Sequence, residues 1–365
     1  MPVAESQSMQ TNHQSHWPVR LPPFVPARWV PGAHGQTIIG SLLKSPELPA
    51  TQSFRVGLDD GDSIVLQENL PSEWNVDSEG RPVILLSIHG LGGCHRSGYV
   101  RRLAALAIEM GWGSYRMDMR GAGESGRDSL FLYHAGRSDD LLQAARYIRQ
   151  LHPEARLVVC GFSLGASISL HLMAHYAAEV DDLIDAAMVV APPLDLQSCA
   201  ENLRRWNNRI YDRKFAKLLW ATLNQRPQVL KSFQDVLPQR APRTLFQFDQ
   251  QVTAPLGGYP SAVDYYQRFS TLERLPEIRR PTLVITAKDD PLIPFEVFAN
   301  VDQAGAVTLI ATEHGGHLGF VSRGDDWPET RQMGTAGVPV PRNRWVEWAM
   351  IHALQARLGC AVSGN

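Results

Sequence analysis

The chain has 365 residues, of which 44% are hydrophobic and 20% are charged, and its formal net charge is −2 at pH 7. This is the composition of an ordinary globular protein, long enough for two domains or for one large α/β domain with an insertion. Because the charges nearly balance and no block of basic residues stands out, nucleic acid is a poor candidate partner.

The N-terminus, the apolar runs and the cysteines bear on the compartment. Residues 1–20 are polar and then proline-rich, lack the apolar core of a signal peptide, and are expected to form a flexible tail. No apolar run approaches the roughly 20 residues of a membrane helix, so no stable membrane insertion is expected. The cysteines Cys94, Cys160, Cys199 and Cys360 form no CxxC pair, which disfavours a zinc ribbon or a disulfide framework. These features predict a cytoplasmic protein.

Strand and helix patterns alternate through the first half of the chain. A hairpin is predicted first, with its turn at Asp59 to Asp62 in SFRVGLDDGDSIVLQE. Apolar runs typical of buried parallel strands then alternate with helical patterns. The strand runs are PVILLSIHG, WGSYRMDMRG, ARLVVCG and DAAMVVAPP, and the helical runs are YVRRLAALAIEMG, SDDLLQAARYIRQLH and LGASISLHLMAHYAAE. This order predicts a doubly wound, mostly parallel sheet.

The alternation stops over residues 197–277, where helical pieces such as KFAKLLWATL occur. It resumes at PTLVITAKDD and AVTLIATEHGGH, and a last helix, RWVEWAMIHALQARL, follows. A helical insertion at this point predicts a cap over the C-terminal edge of the sheet, where such folds bind ligands. The predicted organisation is therefore a tail over 1–20 and an α/β domain over 21–365, with the cap inserted at 197–277.

The stretch Gly161-Phe162-Ser163-Leu164-Gly165 lies where a strand pattern ends and a helix pattern begins. Small residues two before and two after a serine suit the sharp turn called a nucleophile elbow. The turn would present Ser163 at its tip and direct the Leu164 N–H at an oxyanion. The alternative is a glycine-flanked turn serine without chemistry.

An acid and a histidine follow in the order that such enzymes use. Asp290 ends the strand in LVITAKDDPLIP, and His317 lies in the glycine-rich loop after the next strand. Asp290 is preferred to Asp289 because a proline follows it directly, and His317 is preferred to His314 because it lies deeper in its loop. Helix N-capping for either aspartate, and a solvated loop position for His314, are the structural alternatives.

The segment SIHGLGG supplies a second backbone donor for an oxyanion, the N–H of Leu91. His89 is interpreted as a support that holds this loop by hydrogen bonds. Gly90 and the two glycines that follow Leu91 allow close approach of the backbone.

Two patterns suggest a cofactor or metal site, and the context of each disfavours it. GAGESG, at 121–126, matches a dinucleotide fingerprint, yet no helix pattern begins at its glycines and the expected acid position is taken by the Ser163 turn. Glu313, His314 and His317 offer few metal ligands at an unusual spacing. No metal or organic cofactor is therefore expected.

Seven segments together resemble the YheT-like α/β-hydrolases over residues 22–358: HGLGG, DMRGAGES, LYHAGRSDDL, GFSLGA, FDQQVTAPLGGYPSAVDYYQRFS, LPEIRRPTLVITAKDDPLIP and EHGGHLGF. The resemblance implies an α/β-hydrolase fold and a carboxylic-ester hydrolase with Ser163, Asp290 and His317 as its triad. It also implies relatives that act on lipid esters. WVPGAHGQTIIGSLL is similar to the family's start, although Gly35-Gln36-Thr37 replaces the usual Leu-Gln-Thr, and RGAGES replaces a Cys-Ser-Gly turn.

These observations predict a serine hydrolase that cleaves small or lipid-like carboxylic esters, with short-to-medium acyl groups, through an acyl-enzyme. The cap residues expected to contact an apolar group are Leu218, Leu219, Trp220, Tyr265 and Tyr266. An acyltransferase with the same triad and a non-catalytic binding protein of the same fold are the alternatives.

Overall fold

The computed structural model describes residues 17, 21–126, 129–301, 305–324 and 342–359. Its described part contains an eight-stranded sheet in the order β1-β2-β4-β3-β5-β6-β7-β8. The strands are β1 (Gln52–Gly57), β2 (Ser63–Asn69), β3 (Val83–Ile88), β4 (Gly113–Asp118), β5 (Arg156–Phe162), β6 (Ala186–Val190), β7 (Thr282–Ala287) and β8 (Val307–Thr312). β2 pairs antiparallel with β1 and β4, and all other pairs are parallel. The predicted hairpin and mostly parallel sheet are confirmed.

Helices cover both faces of the sheet, because successive side chains of a buried strand point to opposite faces. On one face, Val83 and Leu85 of β3 pack in a core with the helices at Gly98–Glu109 and Trp345–Leu358. On the other face, Ile84 and Leu86 pack in a core with the helices at Ser138–Leu151 and Leu164–His175. The helices outside the β6–β7 connection are α1 (Gly32–Leu42), α2 (Gly98–Glu109), α3 (Ser138–Leu151), α4 (Leu164–His175), α5 (Ala177–Leu183) and α12 (Trp345–Leu358).

The connection between β6 and β7 is helical and is called here the inserted segment, residues 196–277. It contains α6 (Leu196–Leu203), α7 (Arg209–Asn224), α8 (Pro227–Ser232), α9 (Leu245–Phe248), α10 (Ala254–Gly257) and α11 (Ala262–Phe269), with a π-helical turn at Asp249–Thr253 and a 3-10 helix at Leu272–Glu277. A small core of its own, including Leu219, Leu223 and Phe248, holds α7 against α9.

Two further observations concern the termini and the membrane. Trp17, which the sequence analysis placed in a flexible tail, is instead buried, and the Arg357 guanidinium carbon lies 5.3 Å from its ring centroid. A large aromatic side chain gains more from burial than the adjacent polar residues suggest. The rest of the predicted tail and Cys360 lie outside the described residues. Among the helices of the described ranges, none combines the length and the apolar character needed to cross a bilayer.

Candidate active site

Ser163 occupies the turn between β5 and α4, at the C-terminal edge of the sheet. Its backbone adopts φ 52° and ψ −119°, a conformation that L-residues other than glycine rarely adopt. Such strain persists only where the surroundings enforce it, and it is typical of functional sites. The turn therefore holds the Ser163 side chain away from both elements and over the strand edge.

The glycines around Ser163 provide clearance for this turn. A Cβ at Gly161 would lie 2.6 Å from the Gly165 carbonyl oxygen, inside van der Waals contact. A Cβ at Gly165 would lie 2.5 Å from the His89 carbonyl oxygen. Both obstacles are backbone atoms, so a side chain at either position would displace the sheet edge or the helix.

The loops after β7 and β8 bring Asp290 and His317 to Ser163. The Ser163 Oγ lies 2.9 Å from His317 Nε2, and His317 Nδ1 lies 2.8 Å from Asp290 Oδ2. The other carboxylate oxygen of Asp290 accepts the N–H groups of Leu292 and Ile293, at 2.8 and 3.1 Å. Since the Asp290 side chain is fully buried, these donors hold its orientation. The three residues are thus connected in one chain of hydrogen bonds.

The alternative acid and base have other contacts. Asp289 Oδ1 accepts the Gly316 N–H at 2.8 Å, and its Oδ2 lies 3.4 Å from the Nδ1 of an exposed His314. Glu313 pairs with Lys288, whose Nζ lies 2.5 Å from its Oε1. Asp289 therefore braces the turn before His317 without reaching the Ser163 side of the loop.

The loop after β3 lies against Ser163, since a Cβ at Gly90 would be 3.0 Å from the Ser163 Cβ. Within this loop the Gly90 N–H donates to the Tyr99 hydroxyl at 2.9 Å, and the Gly92 N–H donates to the Tyr133 hydroxyl at 2.7 Å. The intervening Leu91 N–H donates to no acceptor within the described ranges.

The Leu164 N–H is also free of any acceptor in the described part of the chain, because it is the first residue of α4. Leu91, Leu164, Ser163 and His317 all line one cavity. The two residues that carry these unused backbone donors therefore line the same cavity as the serine and the histidine, and two such donors are what an oxyanion requires.

The His89 ring makes hydrogen bonds within its own loop. Its Nδ1 lies 2.8 Å from the Gly90 carbonyl oxygen, and its Nε2 accepts the Met119 N–H at 3.3 Å. Complete burial lowers the pKa of His89, which favours the neutral ring with a proton on Nδ1. The contacts agree with a supporting role for His89.

Two residues of α1 hold the His317 loop, and the sequence analysis assigned no role to them. The Thr37 hydroxyl accepts the His317 N–H at 2.9 Å and donates to the Ala33 carbonyl oxygen at 2.8 Å. The buried Gln36 amide accepts the Val321 N–H at 2.7 Å and donates to the Val321 carbonyl oxygen at 3.0 Å. α1 thus supplies side-chain partners to the backbone on both sides of the loop.

The His317 loop needs external partners because its own backbone is strained. Leu318 and Phe320 have φ values of 58° and 41°, and Gly316 has a φ of 58°. Non-glycine residues in this region cost about 1–3 kcal/mol each, so neighbouring contacts must hold them there. The family resemblance of the segment that contains Gln36 and Thr37 did not indicate this contact.

The cavity beside Ser163 is mostly apolar. Its lining residues from the inserted segment include Leu196, Leu203, Phe215, Leu219, Leu245, Phe248, Tyr265 and Tyr266. Leu218 and Trp220 do not line it, contrary to the sequence expectation. Consecutive helical residues point 100° apart, so Leu219 faces inward while its two neighbours flank it.

Asp249 and Arg226 are charged groups in the cavity wall. Asp249 accepts hydrogen bonds from the Tyr266 and Thr253 hydroxyls, both at 2.7 Å, and burial raises its pKa to about 6. Arg226 donates from Nη2 to the Gly121 carbonyl oxygen at 2.5 Å. Gly121 has φ 69°, and a Cβ there would collide with the Arg226 guanidinium. That first glycine of GAGESG therefore makes room for a side chain of the inserted segment.

One group of three potential metal ligands, Cys94, His95 and Asp118, occurs within the described ranges. The Asp118 carboxylate already accepts the His95 N–H at 2.6 Å and the Glu124 N–H at 2.8 Å, and its Oδ2 lies 2.6 Å from His95 Nδ1. These hydrogen bonds satisfy both oxygens, so the donor set fits a structural network better than a metal.

A family model described as alpha/beta hydrolase fold matches residues 82–323. "Putative esterase YheT" of Escherichia coli is 30% identical over 305 residues, which are 82% of this chain and 87% of that protein. The chain belongs to the YheT-like α/β-hydrolases. This YheT-like chain is also 29% identical to "Monoacylglycerol lipase" of Saccharomyces cerevisiae over 68% of its length and 57% of the yeast protein. The Pyrococcus furiosus esterase Pf2001 has the same fold, with a TM-score of 0.50 and 15% identity over 92% of this chain and 99% of that one.

Proposed function

We propose that this YheT-like protein is a serine esterase that cleaves carboxylic esters through an acyl-enzyme intermediate. The observation that carries the proposal is the continuous hydrogen-bond chain from Ser163 through His317 to Asp290, at 2.9 and 2.8 Å. Relatives named esterase and lipase support ester hydrolysis as the general activity.

In the first half-reaction the Ser163 Oγ attacks the ester carbonyl carbon. Its proton passes to His317 Nε2, whose ring already donates from Nδ1 to Asp290. The carbonyl oxygen becomes an oxyanion and accepts the free Leu91 and Leu164 N–H groups. The buried Asp290 carboxylate stabilises the imidazolium that forms.

Collapse of this intermediate breaks the bond between the carbonyl carbon and the alcohol oxygen. His317 gives its Nε2 proton to that oxygen, and the alcohol leaves. In the second half-reaction His317 takes a proton from water, the hydroxyl attacks the acyl-enzyme, and the acid departs while Ser163 regains its proton. The balance requires only the ester and water, so no cofactor enters the reaction.

We further propose that residues 197–277 act as a cap that supplies the apolar wall of the substrate site. The cavity is lined by leucine, phenylalanine and tyrosine side chains of that segment, which suit an apolar acyl or alcohol group of a short-to-medium or lipid-like ester.

Pre-steady-state hydrolysis of p-nitrophenyl butyrate and octanoate tests the proposal. The wild type should release a burst of p-nitrophenolate equal to the enzyme concentration, and Ser163→Ala should show neither burst nor turnover. Ser169→Ala is the matched control, because the Ser169 hydroxyl is buried in the same helix and donates to the Gly165 carbonyl oxygen. Turnover by Ser163→Ala equal to that of the wild type would refute the mechanism. If added glycerol captured the acyl group in preference to water, transfer would replace hydrolysis as the activity.

A further inference from the structure

The outer surface of the inserted segment concentrates positive charge. Six cations lie within residues 204–217, and the one acid in that stretch is Asp212. Asp212 is buried, and its carboxylate accepts the Leu245 N–H at 2.6 Å. The sequence contains no uninterrupted basic block here, because this acid and the apolar residues separate the cations. In the structure the acid turns inward and the cations remain outside.

Two large apolar side chains stand among these cations. Trp206 is 84% exposed and Ile210 is 76% exposed, more than most apolar side chains of the described residues. Together they form what is called here the basic face: Arg204, Arg205, Trp206, Arg209, Ile210, Arg213, Lys214 and Lys217. An exposed tryptophan beside cations is typical of a surface that contacts a partner.

The spacing on α7 places the five residues of the basic face that belong to this helix on one side of it. Arg209, Arg213 and Lys217 follow one another at intervals of four, and Ile210 and Lys214 flank them. On the opposite side, Phe215 and Leu219 line the cavity next to Ser163. α7 is therefore amphipathic: its apolar side lines the cavity and its basic side faces solvent.

The cations of α7 are free to meet an external anion. In the described ranges, Arg209, Arg213, Lys214 and Lys217 form no ion pair, whereas Arg279 and Arg280 on the main body both pair with Asp181. Unpaired cations and protruding apolar groups together fit a partner that has an anionic outer layer and an apolar layer beneath it. Such a surface is an anionic lipid layer, where cations contact headgroups and Trp206 and Ile210 enter the acyl boundary.

We propose that the basic face binds peripherally to an anionic lipid surface and holds the cavity of Ser163 next to it. Leu218, at the edge of this face, extends over Gly92, where a Cβ would lie 1.8 Å from its Cδ2. The helix that contacts the lipid thus also covers the loop bearing the Leu91 N–H. Lipid binding by the basic face is a property beyond the proposed function. Only the idea that the bound lipid surface delivers ester substrates to Ser163 rests on the proposed esterase function.

Sedimentation with phosphatidylglycerol vesicles and with pure phosphatidylcholine vesicles tests the binding. All proteins carry Ser163→Ala, so that the lipid stays intact. The parent should bind phosphatidylglycerol and lose binding in 1 M salt, where the screening length falls to about 3 Å. R209Q/R213Q/K217Q should weaken binding by about 100-fold, because each cation near an anionic surface strengthens binding several-fold. W206S/I210S should weaken it by about tenfold.

The matched control is R55Q/R146Q/R279Q, which removes three positive charges from positions outside the inserted segment and should bind as the parent does. Equal binding by the α7 triple variant and the control would overturn the proposal. Binding to duplex DNA stronger than to vesicles and unaffected by W206S/I210S, or a dimer dissociated by the α7 variant, would also overturn it by assigning the face to another partner.

The effect of the basic face on hydrolysis is measured separately, with proteins that retain Ser163. The α7 triple variant should hydrolyse soluble p-nitrophenyl acetate like the wild type and lose rate only on esters embedded in anionic vesicles. Vesicle binding without any hydrolysis would refute the proposed function and leave this inference standing, and hydrolysis without vesicle binding would do the reverse.

Discussion

The substitution Thr37→Val tests whether α1 positions His317. Valine keeps the shape of threonine but removes the hydroxyl that accepts the His317 N–H at 2.9 Å. An N–H group left without an acceptor costs about 1–3 kcal/mol. If the His317 loop must adopt its strained conformation before Ser163 reacts, this cost appears in the barrier as a 5- to 150-fold fall in kcat, about what those energies give.

Steady-state kinetics on a p-nitrophenyl ester measure the effect, with urea unfolding as a parallel assay. KM should change little, because Thr37 does not line the cavity. Thr37→Ser keeps the hydroxyl and should stay within about threefold of the wild-type kcat. A Thr37→Val enzyme with wild-type kcat would refute the positioning role, and a fall in folding stability with unchanged kcat would reduce α1 to a structural support.

Three other predictions concern the site and its walls. Asp290→Asn should lower kcat by about 10⁴-fold, since the amide no longer stabilises the imidazolium, while Asp289→Asn should cost less than about tenfold; equal losses in stopped assays would contradict the assignment of the acid. Gly165→Ala should lower both the activity and the midpoint of urea unfolding, because its Cβ would lie 2.5 Å from a backbone oxygen. An unchanged midpoint would show that the turn at Ser163 can accommodate a methyl group. The pKa of Asp249 is raised from 3.8 to about 6 in the folded protein. The contribution of its protonated carboxyl to folding stability is therefore fully present below about pH 4 and is lost as the pH rises through 6. Asp249→Asn should therefore gain on the order of 3 kcal/mol relative to the wild type in urea unfolding between pH 4 and pH 8, and a constant difference would show that the carboxyl titrates normally.

The parts of the site that local sequence could predict are those built from neighbouring residues. Gly161 and Gly165 flank Ser163 within five residues, and the steric reason for them acts inside one turn. Asp290 and His317 each lie in the loop that follows a recognisable strand, so the edge where they meet follows from the parallel order of the sheet. Their order along the chain predicted which loops would meet, and the proline after Asp290 and the depth of His317 in its loop selected the side chains.

Contacts between distant segments could not be predicted in the same way. Thr37 and His317 are 280 residues apart, and nothing in either local pattern indicates that one binds the other. The direction of Asp212 depends on the packing of α7 against α9, and this decides whether the adjacent cations form a basic face. The burial of Trp17 likewise depends on packing with Arg357 near the other end of the chain.

The central claim is that Ser163 is the nucleophile of an acyl-transfer site. Labelling with a fluorophosphonate probe, followed by peptide mass spectrometry, tests it most directly. We expect one adduct per chain, on the peptide that contains Ser163, with little labelling in Asp290→Asn or His317→Ala and none in Ser163→Ala. An adduct on another residue, or equal labelling of the wild type and Ser163→Ala, would show that Ser163 is not the nucleophile.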